Sequence, residues 1–148
     1  PQWAAGPRSG QQRWLASLAV DGAISELALV VDAYPREPSP KFSILLTCEA
    51  AIVRLDYGEH EMHFNHRVAG CTTLPQVELG WLEGPHIHGW PENRGTLKDA
   101  PPKELEFATP LPSHVQGFAN CFRWFCASYN IDLSGFTIPD IPPRDTLF

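Results

Sequence analysis

The sequence is short of positive charge. Its 148 residues contain 11 Lys and Arg against 17 Asp and Glu, which gives a formal net charge of −6 at pH 7. A protein that coats duplex nucleic acid needs a broad cationic surface, so this composition excludes an extended duplex-binding surface. A small cationic site within an acidic body is compatible with it.

Long apolar runs and paired-cysteine motifs are also missing. No run of 18 apolar residues occurs, and no secretory leader pattern is present, so we expect no membrane-spanning segment and a cytoplasmic location. The absence of C-x-x-C spacing disfavours a zinc ribbon or a dense disulfide framework. We expect reduced thiols packed as small apolar groups. The cysteines are Cys48, Cys71, Cys121 and Cys126.

The first 57 residues predict four antiparallel strands. Two apolar runs, at about 13–20 and 23–33, flank Asp21-Gly22. An Asp-Gly pair in this setting is a strong hairpin signal, because a type I′ turn needs positive φ at both central residues. After a proline-rich loop, residues 42–48 alternate cleanly and lead to a strand at 52–57. Such a meander needs cover on one face.

A C-terminal helix is predicted to supply that cover. Ser113 and Gln116 have capping-box spacing, and Asn130 is a suitable stop, so we expect a helix over 113–130. Its apolar stripe is broad and aromatic, as suits a helix lying on a sheet. The residues at helical spacing are Val115, Phe118, Phe122, Phe125, Cys126 and Tyr129.

These elements predict a single α+β domain over 1–148. It consists of an antiparallel sheet of four to six strands with the helix packed on one face. Residues 1–12 are expected to form a loose arm, and 132–148 an extended tail whose Phe136 and Phe148 dock on the core or a partner.

All six histidines lie between positions 60 and 114, and one pair has H-x-H spacing. Alternate residues of an extended segment point to one side, so His86, His88 and Trp90 share a face while Ile87 points into the core. A solvated or hydrogen-bonded rim would explain a lone histidine. Two histidines on one face have few structural uses, because their protonated rings repel each other, so the pair favours function.

A second polar group precedes this pair. His63, Asn65 and Arg67 share a face by the same alternation, and Arg54 lies on the same side of its strand as Asp56. The two stretches together indicate a site if the chain brings them into one hollow.

The motif order resembles a group of small prokaryotic domains of unknown function. The matching strings are Ile52-Val-Arg-Leu-Asp56, His63-Phe-Asn65 and Gly84-Pro-His-Ile-His88, followed by an aromatic helix ending near residue 131. Such domains carry R-L-D, H-x-N and P-H-x-H motifs and are linked to toxin–antitoxin or prophage loci. The resemblance covers about residues 13–131 and implies a ribonuclease-like toxin with an antitoxin partner. The acidic balance of this chain departs from that expectation.

The first functional hypothesis is metal-free cleavage of single-stranded RNA. It needs a general base, a general acid and a cation for the developing charge. His86 and His88 are the candidate acid–base pair, with His63 in reserve, and Asp56 would orient a histidine. No cofactor is required. The candidate substrate-binding residues are Arg54 and Arg67 for phosphate, Asn65, and Trp90 for base stacking.

The second hypothesis is a divalent-metal hydrolase or oxygenase holding zinc or iron. His86 and His88 would bind the metal with His63, Asp56 or Glu92. Gly80, His86, His88 and Glu92 resemble most of the first cupin motif, but Asp99 replaces its closing glycine and no second motif is found. The resemblance to cupins is therefore disfavoured.

The third hypothesis is a binding module without catalysis. The net acidity, the proline-rich tail and the aromatic residues outside the predicted core suit an inhibitor or a component of a toxin pair.

Overall fold

The computed structural model describes residues 2–67, 76–94 and 105–143, and strands dominate its regular structure. Within these ranges there are nine strands and two helices. The strands are β1 (Ala4–Ala5), β2 (Gln12–Val20), β3 (Ala23–Ala33), β4 (Phe42–Cys48), β5 (Ala50–Tyr57), β6 (Met62–Asn65), β7 (Gly80–Glu83), β8 (His86–His88) and β9 (Thr109–Pro110). The helices are α1 (Trp90–Asn93) and α2 (Phe118–Ser128).

Seven strands form one antiparallel sheet in the order β1-β2-β3-β4-β5-β8-β9, and β6 pairs with β7 in a separate hairpin. The antiparallel sheet and C-terminal helix confirm the α+β class, but the expected four to six strands were too few. β1, β8 and β9 each have two or three residues, which is too short for an alternating pattern to reveal them.

The Asp-Gly hairpin is confirmed. Asp21 and Gly22 both have positive φ, 51° and 80°, and the flanking strands β2 and β3 match the expected ranges to within one residue. β4 has the expected bounds, and β5 begins two residues earlier than the expected 52–57.

The two faces of the sheet differ sharply in polarity. One face carries apolar side chains and is covered by α2, while the other carries charged and polar side chains. Alternation along each strand produces this division. The sheet residues buried on the apolar side are Trp14, Leu29, Val31, Ala33, Phe42, Ile44, Val53, Leu55 and Ile87, and those of α2 are Cys121, Phe122, Phe125 and Cys126.

Helix α2 is shorter than the sequence predicts. It begins at Phe118, and the N-cap Gly117 has φ 73°, a left-handed conformation that cannot continue a helix backwards. The Ser113–Gln116 pair is not a capping box, because the Gln116 amide donates to the Ser113 carbonyl at 2.9 Å. The predicted range of 113–130 is therefore wrong at its start.

The end of α2 agrees with the expected stop. Asn130 has φ 55°, and the Ile131 N–H donates to the Cys126 carbonyl at 2.8 Å, as in a Schellman motif. Within the described residues, neither helix has the length and apolar character that a bilayer crossing requires.

Residues near both described termini contact the rest of the fold. The predicted loose arm contains β1, which pairs with the start of β2, followed by a turn that buries Gln11. In the tail, Phe136 docks on the core as expected, with ring centroids 5.7 Å from Trp14 and 6.1 Å from Phe122. Phe148 and Cys71 lie outside the described residues, and the other three cysteines have free thiols.

Replacement of Phe122 with alanine tests this packing. The ring is 0% exposed, so Phe122→Ala should lower the free energy of unfolding by about 3–5 kcal/mol in urea titrations. Ile24→Ala is the control, because Ile24 is 87% exposed and should change stability by less than about 0.5 kcal/mol. Equal effects of the two substitutions would contradict the assigned core.

Candidate functional site

A row of polar side chains crosses the open face of the sheet. The strand register places each member directly opposite the next on five adjacent strands. Directly opposite residues of antiparallel strands project to the same side, so these side chains form one continuous line. In strand order from β2 to β8, its members are Arg13, Asp32, Ser43, Asp56 and His86.

Asp56 is the centre of the hydrogen-bond network at one end of this row. Its Oδ1 accepts from the Ser43 hydroxyl at 2.6 Å, and its Oδ2 accepts from Arg54 Nε at 2.7 Å. Arg54 lies in the neighbouring row, directly opposite His88, and its Nη2 is 3.0 Å from His88 Nε2. The carboxylate thus holds the guanidinium in one orientation.

His86 presents one ring nitrogen to this network. Its Nδ1 is 2.8 Å from the Gly84 carbonyl oxygen, and because a carbonyl only accepts, Nδ1 carries the proton. Nε2 then carries the lone pair of the ring and lies 3.6 Å from Asp56 Oδ2. The side chain is buried, and the expected shared face of His86 and His88 is confirmed by their registers with Asp56 and Arg54.

His88 is 0% exposed and is held as a neutral ring. Burial lowers its pKa to about 4, and the positive charge of Arg54 acts in the same direction, while the Asp56 carboxylate opposes both. A guanidinium only donates, so Nε2 accepts from Arg54 and we assign the proton to Nδ1. Within the described residues, Nδ1 has no hydrogen-bond partner.

His63 comes from the β6–β7 hairpin and lies over the other two rings. Its ring centroid is 4.5 Å from that of His88 and 5.8 Å from that of His86. Nε2 donates to the Glu106 carbonyl at 3.0 Å, which leaves Nδ1 with a lone pair. Burial is the largest cause that lowers the pKa of His63, and the charges of His86 and Arg54 add to it.

Two buried asparagines hold this hairpin and the segment around residue 107. Asn65 donates to the carbonyls of Glu78 and Ala108 at 2.8 and 2.9 Å, and its oxygen accepts from the Ala108 N–H at 2.8 Å. Asn93 makes the same pair of bonds with Phe107, at 2.8 and 2.9 Å. These contacts use both amide N–H groups of Asn65, so the expected substrate contact by Asn65 has no support. The role of Asn93 was missed because a single asparagine has no motif.

A polar cavity of about 450 Å³ lies over the row. His63, His86, Arg54 and Asp56 line one part of it. The remaining wall is charged and had no signal in the sequence, because its members come from distant strands and loops. Its lining residues include Arg8, Gln11, Arg13, Asp32, Tyr34, Lys41 and Glu61.

Five expected site residues are absent from the cavity wall: the buried Asn65 and His88, and also Arg67, Trp90 and Glu92. Arg67 and Trp90 are exposed, and Trp90 begins α1 with 42% of its surface accessible. Glu92 accepts from the Gln76 amide at 3.1 Å and is not part of the histidine cluster. Alternation along an extended segment therefore predicted the shared face of His86 and His88 correctly. It did not predict the position of Trp90, because the chain forms helix α1 directly after β8.

Asp56, His86 and His88 could also serve as a metal-ligand set. Their candidate ligand atoms lie within 4.8 Å of one another, and two imidazoles with one carboxylate suit zinc or iron. Arg54 opposes this use, because its guanidinium is hydrogen-bonded to Asp56 Oδ2 and to His88 Nε2. A cation bound there would have to displace that positive charge.

Comparison with known proteins adds no assignment to this geometry. No protein-family model, curated protein or solved structure matches the chain.

The burial of neutral His88 should make folding sensitive to pH. The folded pKa of about 4 lies below the ordinary 6.5, so the unfolded chain takes up a proton first as the pH falls. The free energy of unfolding should therefore decrease by about 3 kcal/mol between pH 6.5 and 4 through this group. His88→Gln should remove most of this dependence in urea titrations.

Exposed His114 supplies the control for this test. His114→Gln should leave the pH dependence of unfolding as in the wild type. Below about pH 4, the Asp56 carboxylate, whose pKa lies below its usual range, should begin to lose its own stabilising contribution in both variants. A His88→Gln profile identical to that of the wild type would contradict the burial of a neutral ring.

Proposed function

We propose that this protein cleaves RNA phosphodiester bonds by histidine acid–base catalysis without a metal. The observation that carries the proposal is the arrangement of His63 and His86. Each ring has one nitrogen bound to a backbone carbonyl, and both rings line the same cavity beside Arg54. Their centroids are 5.8 Å apart, which leaves both within reach of one bound phosphate.

His63 is suited to act as the general base. Its lowered pKa keeps the ring neutral near pH 7, and Nδ1 is the nitrogen free to accept a proton. It would take the proton of a ribose 2′-hydroxyl while that oxygen attacks the adjacent phosphorus. The products of this step are a 2′,3′-cyclic phosphate and a departing 5′-oxygen.

His86 is suited to act as the general acid. When Nε2 carries a proton, that nitrogen faces Asp56 Oδ2 at 3.6 Å. His86 would transfer that proton to the departing 5′-oxygen. One proton is thus accepted by His63 and one is donated by His86 in each cleavage, so the charges balance.

Arg54 would bind a non-bridging oxygen of the phosphate. Asp56 and His88 occupy Nε and one position on Nη2, and the remaining N–H groups can stabilise the negative charge of the transition state. His88 is fully buried and is not part of the cavity wall, so its role in this proposal is to position Arg54.

The motif resemblance favours a toxin whose activity an antitoxin controls, and we retain that as part of the proposal. The net charge of −6 favours a short, single-stranded substrate segment bound within the cavity over a long duplex. The second candidate is a metal-dependent hydrolase, which the Asp56–His86–His88 ligand set favours.

Cleavage of an oligodeoxynucleotide that contains one ribonucleotide tests the proposal. The wild type should cut at the ribonucleotide, yield a 2′,3′-cyclic phosphate and remain active in EDTA, while an all-deoxy strand stays intact. His63→Ala and His86→Ala should lower kcat by about 10²- to 10⁴-fold. His114→Ala, an exposed histidine, should retain wild-type activity.

The controls separate the two candidates. Loss of activity in EDTA and recovery with zinc or iron would contradict the metal-free reaction and favour the Asp56–His86–His88 centre. Unchanged kcat in His63→Ala would show that this ring takes no part in the reaction.

The pH dependence of cleavage gives a further test. Burial lowers the pKa of His63, so this base becomes protonated only at a pH below its ordinary value of 6.5. The cleavage rate should therefore decline on the acid side only below pH 6.5.

A further inference from the structure

An apolar row lies beside the polar row on the open face of the sheet. The register places Leu15 opposite Val30 and Val30 opposite Leu45. Leu45 in turn lies directly opposite Arg54, the cation of the proposed reaction. Leu45 lines the cavity and is not among the described residues that pack in the core under α2. The polar cavity therefore has an apolar floor beside its phosphate-binding group.

The spacing between Leu45 and the catalytic groups suits a single nucleotide. Adjacent strands lie about 4.8 Å apart, so Leu45 is one strand spacing from Arg54. A phosphate bound at Arg54 is joined to its base through one ribose, so the base reaches the neighbouring strand without a second phosphate. Met62 adds an apolar side chain from the β6 side of the cavity, next to His63 in the chain.

Two oxygen acceptors lie beside this apolar floor. Ser43 is two residues from Leu45 on β4, about 6.7 Å along the strand, and Asp32 lies directly opposite Ser43. The Ser43 hydroxyl donates its only hydrogen to Asp56, so toward a ligand its oxygen can only accept. The carboxylate of Asp32 is held by Arg13 Nε and Nη2, both at 2.6 Å, and also only accepts. Both acceptors line the cavity and are fixed before a ligand binds.

We infer that the cavity contains a nucleobase subsite for guanine, on the nucleotide whose 2′-hydroxyl attacks. The subsite consists of Leu45 and Met62 for the faces of the base, and of Ser43 and Asp32 for its edge. As a substrate subsite it rests on the proposed function, whereas its capacity to bind a base beside a phosphate does not.

The hydrogen-bond pattern of the bases decides the choice of guanine. The flat faces of every base are apolar and suit an aliphatic floor. Guanine carries adjacent donors, N1–H and N2–H, on one edge, and these match the acceptors Ser43 and Asp32. The same edge of uracil has a single N–H between two carbonyl oxygens, which would face acceptors without a hydrogen bond. The protein would then cleave RNA after guanosine.

Calorimetric titration with 3′-mononucleotides tests the subsite without cleavage. Guanosine 3′-monophosphate and uridine 3′-monophosphate present the same phosphate to Arg54 and differ only in the base. The wild type should bind the guanosine compound about tenfold more tightly than the uridine compound, because uracil leaves an acceptor unpaired. Inorganic phosphate, which has no base, should bind more weakly than the guanosine compound.

Two substitutions separate the apolar contact from the edge contact. Leu45→Thr removes apolar surface but keeps a residue that suits a strand, so both nucleotides should bind about fivefold more weakly and phosphate within about twofold of the wild type. Asp32→Asn replaces an acceptor oxygen with an N–H donor, so the guanosine-to-uridine affinity ratio should fall from about tenfold to about one. The ratio is the readout because releasing Arg13 acts on the phosphate of both nucleotides alike. Leu79→Thr is the matched control, since Leu79 is 46% exposed and lies outside the described cavity wall.

The outcomes for this subsite and for the proposed reaction are distinct. Equal affinity of the wild type for the two nucleotides, or unchanged affinities in Leu45→Thr, overturns the subsite even if RNA is cleaved. Selective guanosine binding that Asp32→Asn abolishes, in a protein that cleaves no RNA, supports the subsite and overturns the proposed reaction. If both are correct, a strand with one ribonucleotide should be cut faster after guanosine than after uridine.

Discussion

The site depends on a buried negative charge, the carboxylate of Asp56. Burial alone would raise its pKa, but the charge of Arg54 and the hydrogen bond from the Ser43 hydroxyl oppose burial, and the pKa lies well below its usual range. A buried charge is tolerated only when it is paired and hydrogen-bonded. The orientations of Arg54 and Ser43 follow from satisfying this one group, and Arg54 in turn donates to His88 Nε2.

The hydrophobic core and the polar cavity lie on opposite faces of one sheet. Aromatic and aliphatic side chains pack under α2 on one face, and charged groups line the cavity on the other. Because successive residues of a strand alternate between faces, a buried core residue is adjacent to a cavity residue along the same strand. Trp14 follows Arg13, Leu55 lies between Arg54 and Asp56, and Ile87 lies between the two histidines of β8.

Much of this arrangement could be predicted from the sequence, because it depends on local periodicity. The Asp-Gly hairpin, the bounds of β4 and the shared face of His86 and His88 all follow from short-range rules. The contributions of Arg8 and Lys41 could not be predicted, since they depend on which strands are neighbours in the sheet. The predicted start of α2 was wrong because Gly117 has a positive φ, so the helix begins only after it. Ser113 and Gln116 have the spacing of a capping box but do not form one.

The most direct test of this account is the tautomer of each cavity histidine, measured from long-range ¹H–¹⁵N correlations in the folded protein at pH 7. His86→Gln and His63→Gln would assign the ring signals. The expected result is a proton on Nδ1 of His86, facing the Gly84 carbonyl, and, for His63, a bare Nδ1 with the proton on Nε2, facing the Glu106 carbonyl. A proton on Nε2 of His86 with a bare Nδ1, or two solvent-averaged rings, would contradict the convergence of these histidines over Asp56.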